Sequence, residues 1–313
     1  MLKNIAIAGA GTMGASFAQV CARYGYRVCL WGRAESSLEK GRGLIAVNQG
    51  VMRDKGLLSA AESEELQSRI KMTTSLEELA RADLISENIS EDLQTKLEFF
   101  QTLDPLLKAG AIVTTNTSGL SINAIAQAVS NKKNFAGMHM VNPPHLIPLV
   151  EIIRAEQTSA ETAQSIRDFL LSIGKKPILV KKDVPGFALN RLQFAVLREA
   201  LHLVESGVAS PEDVDAVFKY GLGLRYACCG PFEVADLGGV DTFSAISGYL
   251  FADLNCAKEG SAFLSGLVRE GRLGVKAGAG VYDYPGPKAE EAIKKRDAAF
   301  IAVTSALAGR DQD

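Results

Sequence analysis

IAIAGAGTMGASFAQVCARYGYRVCLW, residues 5–31, reads as strand, turn, helix and strand in succession. Ile5–Ala8 is a short apolar run of strand type. Gly9-Ala-Gly11-Thr-Met-Gly14 follows as a GxGxxG turn. Met13 to Tyr24 has helical spacing, with Phe17, Val20 and Cys21 on one side, and Arg27–Trp31 is β-rich again. In this context each glycine has its own physical task. The first permits the tight turn, the second lets the backbone approach a pyrophosphate, and the third lets helix and strand pack closely. The N–H groups opening the helix, and its dipole, then hold the phosphates. Gly9, Gly11, Thr12, Met13 and Gly14 are therefore candidate cofactor-binding residues. The alternative is a glycine turn that only joins strand to helix, and the flanking elements favour the binding site.

The selector for the adenosine ribose lies at the end of the second strand. NAD sites usually carry Asp or Glu there, accepting from the ribose hydroxyls. This chain has Gly32 at that place, followed by Arg33. A charge that would repel a 2′-phosphate is missing, and Arg33 can pair with such a phosphate. Arg33 stacking on adenine would suit either cofactor, so NAD and NADP both stay open.

Outward from this unit, β-rich runs at Ile70–Thr73, Leu84–Ser86, Ala111–Thr115, Phe135–Met140, Leu149–Ile153 and Pro177–Val180 alternate with helical stretches such as Asp92–Leu107 and Ala160–Ile173. Such alternation predicts an α/β domain with a mostly parallel sheet covered on both faces. After Lys182 the pattern changes. Asp183–Gly186 reads as a hinge or helix start, and Phe187, Leu192, Val196, Ala200, Leu203 and Val204 follow at helical spacing. Further helices are expected at Ser210–Tyr220, Asp241–Leu254 and Ala262–Glu270, with an amphipathic tail over Ala289–Arg310. The expected organisation is a Rossmann-type domain over residues 1–183 and an all-α domain over 184–313.

Composition narrows the function class. A net charge of −2 over 313 residues gives no reason to expect nucleic acid or an anionic membrane as partner. No apolar run approaches the roughly 20 residues of a membrane-spanning helix. The start, MLKNIAIAGAG, does not read as a secretory signal. Five cysteines, Cys21, Cys29, Cys228, Cys229 and Cys256, form no CxxC and read as small hydrophobes in a reducing cytoplasm. With three histidines and no HExxH or Cys/His cluster, no metal site is expected.

FAGMHMVNPPHLIPLVEII, residues 135–153, contains the chemistry. His139 sits in one apolar string and Glu151 in the next, with Pro143-Pro144 between them. A carboxylate inside an apolar strand is costly unless paired, and a neighbouring imidazole supplies the partner. Ionised Glu151 would orient the His139 ring and fix which nitrogen faces the cleft. His139 then takes a hydroxyl proton as a hydride leaves the same carbon.

Together these stretches resemble the 3-hydroxyacyl-CoA dehydrogenase family along nearly the whole chain. The matching residues are Gly9–Gly14, Asn116–Ile122, Gly137–Pro143, Leu149–Glu151, Asp183–Phe187 with Asn190-Arg191, Gly230–Phe232 and Gly274–Gly280. The resemblance implies NAD(H) as cofactor, His139 as catalytic base and Glu151 as its orienting partner. It implies that Ser118 contacts the reacting oxygen and that Asn190 helps polarise the substrate carbonyl. Glu91 and Lys96 fall where the family contacts the nicotinamide half, and Asn116 belongs to the same cofactor-side motif. Ser118 and Asn116 could equally cap the helix before Ile122. The resemblance also implies a homodimer formed through the helical domain.

Three features depart from the acyl-CoA pattern. The ribose acid is absent at Gly32. The helix over Ser37–Val51 has thin polar content, Glu39, Lys40, Arg42 and Asn48, where the acyl-CoA enzymes carry a Lys-rich face. The segment before Gly230 includes Gly223-Leu-Arg-Tyr-Ala227, which is similar to the branch acting on free hydroxy acids and alcohols: gulonate, carnitine and pyridine-carboxylate dehydrogenases. There Arg225 either clamps a substrate carboxylate or serves a surface ion pair. The small-molecule substrate is thus a 3-hydroxyacyl-CoA or a CoA-free hydroxylated carboxylate. A reading of another class, a nucleotide-binding protein without turnover, is disfavoured by the intact set Ser118, His139, Glu151 and Asn190.

Overall fold

A computed structural model of the chain describes residues 2–308. The chain forms two compact units, Met1–Arg191 and Leu192–Asp313. The first holds one sheet of eight strands: β1 (Asn4–Ala8), β2 (Arg27–Trp31), β3 (Ile70–Thr73), β4 (Leu84–Glu87), β5 (Ile112–Thr115), β6 (Phe135–Met140), β7 (Leu149–Ile153) and β8 (Lys176–Val180). Their spatial order is 3-2-1-4-5-6-7-8, and every neighbouring pair is parallel except β6 with β7. Strand order reverses around β1, which lies between β2 and β4. In such open sheets ligands bind beyond the carboxyl ends of the strands at that reversal.

Helices cover both faces: α1 (Thr12–Arg23), α2 (Glu35–Asp54), α3 (Ala60–Ser68), α4 (Leu76–Leu79), α5 (Leu93–Leu103), α6 (Ile122–Ile125) and α7 (Ala160–Ser172). The strands alternate between two apolar cores. Ile5 and Ile7 join Phe17, Leu38 and Phe169 on one face, while Ala6 and Ala8 join Phe99, Phe100 and Ile125 on the other. Burial on both faces explains why the central strands are apolar almost throughout. Side-chain caps start many of the helices. Ser75, Asp92, Ser121 and Ser159 each accept from the backbone N–H three residues on. α3 was unforeseen, although Ser59 and Glu62 form the reciprocal capping pair that announces it.

The segment Val184–Arg191, assigned from sequence to the helical half, falls in the first compact unit. The Asp183 carboxylate accepts from the Ser121 hydroxyl at 2.7 Å and the Asn123 N–H at 2.9 Å. Phe187 is buried in the second core and has φ 52°, after Gly186 at φ 75°. It therefore does not open the helix, as the sequence reading expects; the helix begins at Leu189. Lys175 secures the turn between β6 and β7 by donating to the carbonyls of Pro144 and Ile147, and burial pulls its pKa down to about 8.

The second unit is helical: α8 (Leu189–Glu205, its first three residues belonging to the first unit), α9 (Pro211–Val217), α10 (Gly223–Cys228), α11 (Pro231–Gly238), α12 (Val240–Asp253), α13 (Ala262–Arg269) and α14 (Lys288–Ala308). A π-helical turn, Phe218–Leu222, joins α9 to α10. Residues 274–283 make isolated bridges, Gly274 with Ala279 and Ala279 with Asp283. The end of the predicted tail helix, Gly309 and Arg310, lies outside the described residues. Among the described residues no helix is long and apolar enough to cross a membrane.

Candidate active site

The glycine turn follows β1 at the carboxyl edge of the sheet. A Cβ on Gly9 would lie 2.4 Å from the Asn88 carbonyl oxygen, and one on Gly14 would lie 1.8 Å from the Gly9 carbonyl oxygen. Neither position has room for a side chain. Gly11 is different: nothing lies within 4 Å of its Cβ position, so its backbone faces open space. Two closed glycines around an open one fit a turn that receives a pyrophosphate. Thr12 and Met13 begin α1, with Thr12 exposed and no side chain capping the helix start. The first N–H groups of α1 are available to an anion.

At the end of β2, Gly32 is buried and donates its N–H to the Thr73 carbonyl at 3.1 Å. Arg33 beside it is exposed. Glu91 and Lys96 lie beyond β4 in one connected polar cluster. Lys96, fully buried, donates to Glu87 Oε1 at 2.6 Å and lies 3.6 Å from Glu91 Oε2. Glu87 also accepts from the Thr115 hydroxyl at 2.5 Å and the Ile89 N–H at 2.7 Å. Burial pushes the Glu87 carboxyl above its usual range, while Lys96 and these hydrogen bonds pull against it. Glu91 accepts from the Thr117 hydroxyl at 2.6 Å and the Ser118 N–H at 2.7 Å. The ammonium of Lys96 thus pairs with Glu87 and lies near Glu91, the carboxylate that holds the loop carrying Ser118.

Asn116 follows β5 and links three chain segments. Its Nδ2 donates to Asn88 Oδ1 at 2.9 Å, and its Oδ1 accepts from the Met140 N–H at 3.0 Å. It is not a helix cap; Ser121 caps α6. Ser118 is exposed, and its carbonyl accepts from Asn190 Nδ2 at 2.7 Å.

His139 and Glu151 stand directly opposite each other in the antiparallel pair β6–β7. His139 Nδ1 and Glu151 Oε2 are 2.7 Å apart, and both residues are buried. The other Glu151 oxygen accepts from the N–H groups of Ala188 at 2.9 Å and Leu189 at 3.0 Å, where α8 begins. Desolvation alone would raise the Glu151 pKa. The hydrogen bonds from His139, Leu189 and Ala188 together outweigh it and hold the carboxyl below its usual range. An ionised carboxylate only accepts, so the ring proton sits on Nδ1 and Nε2 keeps its lone pair. The Phe187 ring packs against the imidazole, with centroids 5.7 Å apart.

Of the expected residues, the turn glycines, Glu91, Lys96, Asn116, Ser118, His139, Glu151 and Asn190 belong to the first unit, along the carboxyl edge of its sheet. Arg225 is exposed on α10 of the second unit. Glu87, Thr117 and Phe187 were not foreseen as parts of the site. A charged residue ending the apolar run Leu84-Ile-Ser-Glu87 was the available signal for the first. Among the described residues no group of three His, Cys, Asp or Glu side chains can hold a metal ion.

The 3-hydroxyacyl-CoA dehydrogenase NAD-binding domain matches residues 4–184, and the C-terminal domain of the same family matches residues 186–284. The chain is 35% identical to the 5-formyl-3-hydroxy-2-methylpyridine 4-carboxylate 5-dehydrogenase of Mesorhizobium japonicum, over 99% of this chain and 100% of that one. It is 39% identical to a probable 3-hydroxybutyryl-CoA dehydrogenase of Deinococcus radiodurans, over 89% of this chain and 99% of the relative. A crystal structure of a 5-formyl-3-hydroxy-2-methylpyridine 4-carboxylic acid 5-dehydrogenase, described as an NAD+ dependent dismutase, superposes with TM-score 0.91 at 35% identity and covers 99% of each chain. The (S)-3-hydroxybutyryl-CoA dehydrogenase of Ralstonia eutropha superposes with TM-score 0.76 at 33% identity, over 91% of this chain and all of that one.

Proposed function

Because the chain belongs to the 3-hydroxyacyl-CoA dehydrogenase family, we propose that it oxidises and reduces a hydroxyl-bearing carbon with His139 as base and Glu151 as its orienting partner. The observation that carries this is the 2.7 Å contact between His139 Nδ1 and Glu151, in the sheet whose β1 opens into the glycine turn. The nicotinamide cofactor, when bound, accepts or returns the hydride. Gly9, Gly11, Thr12, Met13 and Gly14 hold its pyrophosphate, and Glu91 and Asn116 border its nicotinamide half. Lys96 acts on that half through Glu91, since its own ammonium is buried. His139 Nε2 takes the hydroxyl proton as the hydride leaves carbon, and returns it in the reverse direction. The Ser118 hydroxyl hydrogen-bonds the reacting oxygen. Asn190, anchored through the Ser118 carbonyl, directs its remaining amide N–H to the substrate carbonyl.

The substrate we assign is a small hydroxylated or formyl carboxylate without CoA. The pyridine-carboxylate dehydrogenase matches this chain over its full length, whereas the acyl-CoA relatives leave about a tenth of it unmatched. Arg225 is assigned to the substrate carboxylate, which a guanidinium grips bidentately. The alternative, a 3-hydroxyacyl-CoA, is favoured by the 39% identity of a relative carrying that name. A panel of free aromatic and aliphatic hydroxy and formyl carboxylates, run beside 3-hydroxybutyryl-CoA and acetoacetyl-CoA, separates the two. Turnover is expected with a free carboxylate, and Arg225→Gln should raise its KM while kcat changes little. Tight saturation by the CoA thioesters with no response to free acids would sink this assignment.

We further propose that the protein is a homodimer through its helical unit. No residue of α9–α13 is buried, and Tyr220, Phe232, Leu237 and Phe251 are each more than 70% exposed. Apolar surface of this extent calls for a covering partner, and a second copy covers it symmetrically. Sedimentation at micromolar concentration should give twice 33.4 kDa; a stable monomer there contradicts the dimer.

A further inference from the structure

The ribose end of the cofactor site differs from an NAD pocket in two ways that reinforce each other. An NAD pocket needs a carboxylate at the end of β2. Here even a Cβ at position 32 would meet Ser37 Oγ at 2.5 Å and Leu38 Cδ2 at 2.8 Å. Leu38 is part of the buried core, and Ser37 is held by donating its hydroxyl to the Ala34 carbonyl at 2.6 Å. The space an acid would occupy is filled by the first turn of α2. No Asp or Glu occurs anywhere in the chain before Glu35.

The neighbouring charge has the opposite sign. Arg33 is exposed and, among the described residues, has no hydrogen-bond or ion-pair partner. It stands just ahead of α2, a helix of 20 residues whose start, at Ala34, has no side-chain cap. A guanidinium matches a phosphate dianion bidentately, and the free N–H groups opening α2 add to its field. Glu35, exposed in the first turn of α2, is the acid closest in sequence and would oppose a phosphate there.

We propose that the adenosine-ribose end of this site is built for a 2′-phosphate, with Arg33 as its clamp, so that the chain takes NADP(H) in preference to NAD(H). The proposal rests on the reading that the Gly9–Gly14 turn holds a dinucleotide. It sets this chain apart from the relative described as NAD+ dependent.

Trp31, the only tryptophan, lies next to Gly32 and provides a binding signal independent of turnover. Its emission is titrated with NADPH and with NADH, and each complex is then displaced with adenosine 2′,5′-bisphosphate or with AMP. The wild type should bind NADPH at least about tenfold more tightly than NADH, the scale of one charge-assisted contact. Adenosine 2′,5′-bisphosphate should displace it better than AMP. Arg33→Ala should remove the preference by weakening NADPH while leaving NADH unchanged, and Glu35→Ala should not weaken NADH. NADH bound as tightly as NADPH overturns the proposal alone. So does an Arg33→Ala variant that weakens both cofactors equally, the mark of stacking on adenine. So does a Glu35→Ala variant that loses NADH, because Glu35 would then be the ribose acid. Binding of neither cofactor overturns the dinucleotide reading beneath it, and the proposal with it.

Discussion

Replacing His139 with Ala lowers kcat by roughly 10²–10⁴-fold, the usual contribution of a positioned general base, while cofactor affinity stays close to that of the wild type. Nothing in the glycine turn depends on the imidazole, so the loss falls on the chemical step. Glu151→Gln tests the partner. The glutamine oxygen can still accept from the N–H groups of Ala188 and Leu189, which now bond Glu151 Oε1. Its NH₂ must then face Nδ1 and can only donate to it. The imidazole is driven into the other tautomer, with its proton on Nε2 and no lone pair for the substrate. The loss should be on the order of 10⁴, as where an orienting carboxylate becomes an amide. Steady-state rates beside fluorescence-measured cofactor affinity make the distinction. An His139→Ala enzyme within about threefold of wild-type kcat, far short of the usual base contribution, would remove the imidazole from the mechanism.

Glu151 also sets the acid side of the pH response. Its folded pKa lies below the ordinary carboxylate value. Between the two values the unfolded chain binds more protons, so stability rises with pH there. Its contribution is complete above the ordinary value and is lost as pH falls through the folded one. Melting temperatures of Glu151→Gln and wild type should therefore converge only in strongly acidic buffer.

Lys96→Met should be among the most destabilising single changes available. It leaves Glu87 buried without its counter-charge, and breaking such a pair costs about 3–5 kcal/mol. In a unit the size of Met1–Arg191 that is a fall in Tm of roughly 6–20 °C. The penalty should shrink in acid, where Glu87 protonates, and grow toward neutral pH. The double change Glu87→Met with Lys96→Met should recover much of the loss, because two apolar side chains of similar volume replace the ion pair. Calorimetry of the three proteins at pH 5 and pH 8 checks this. A Lys96→Met melt within about 1 °C of wild type, far below the cost of an orphaned buried charge, would mean that Glu87 has another counter-charge.

Much of this architecture was legible because burial on two faces writes itself into composition. Most strands of the sheet appear in the sequence as apolar runs, and the glycine pattern marks the turn where α1 begins. His139 and Glu151 were legible for the opposite reason: each is a costly group inside an apolar run, and cost implies a partner. Lys96 was read as facing the cofactor, and periodicity gave no sign that its ammonium lies under the surface against Glu87. Phe187 was misread because it directly precedes the helical pattern that runs on from Leu192. Backbone conformation decides there, since Gly186 and Phe187 both take positive φ and swing the next two N–H groups toward Glu151. Ser118 and Asn116 looked like possible caps, but Ser121 holds that place.

The antiparallel pairing of β6 with β7 brings the proton-handling pair together from positions only twelve residues apart. Both strands are fixed in the sheet by other neighbours, β5 on one side and β8 on the other. The eight residues between them, 141–148, can therefore change side chains without disturbing the pair, provided Lys175 keeps the backbone carbonyls it bonds. A lineage built on this hairpin can exchange what it accepts while inheriting unchanged how it moves a proton.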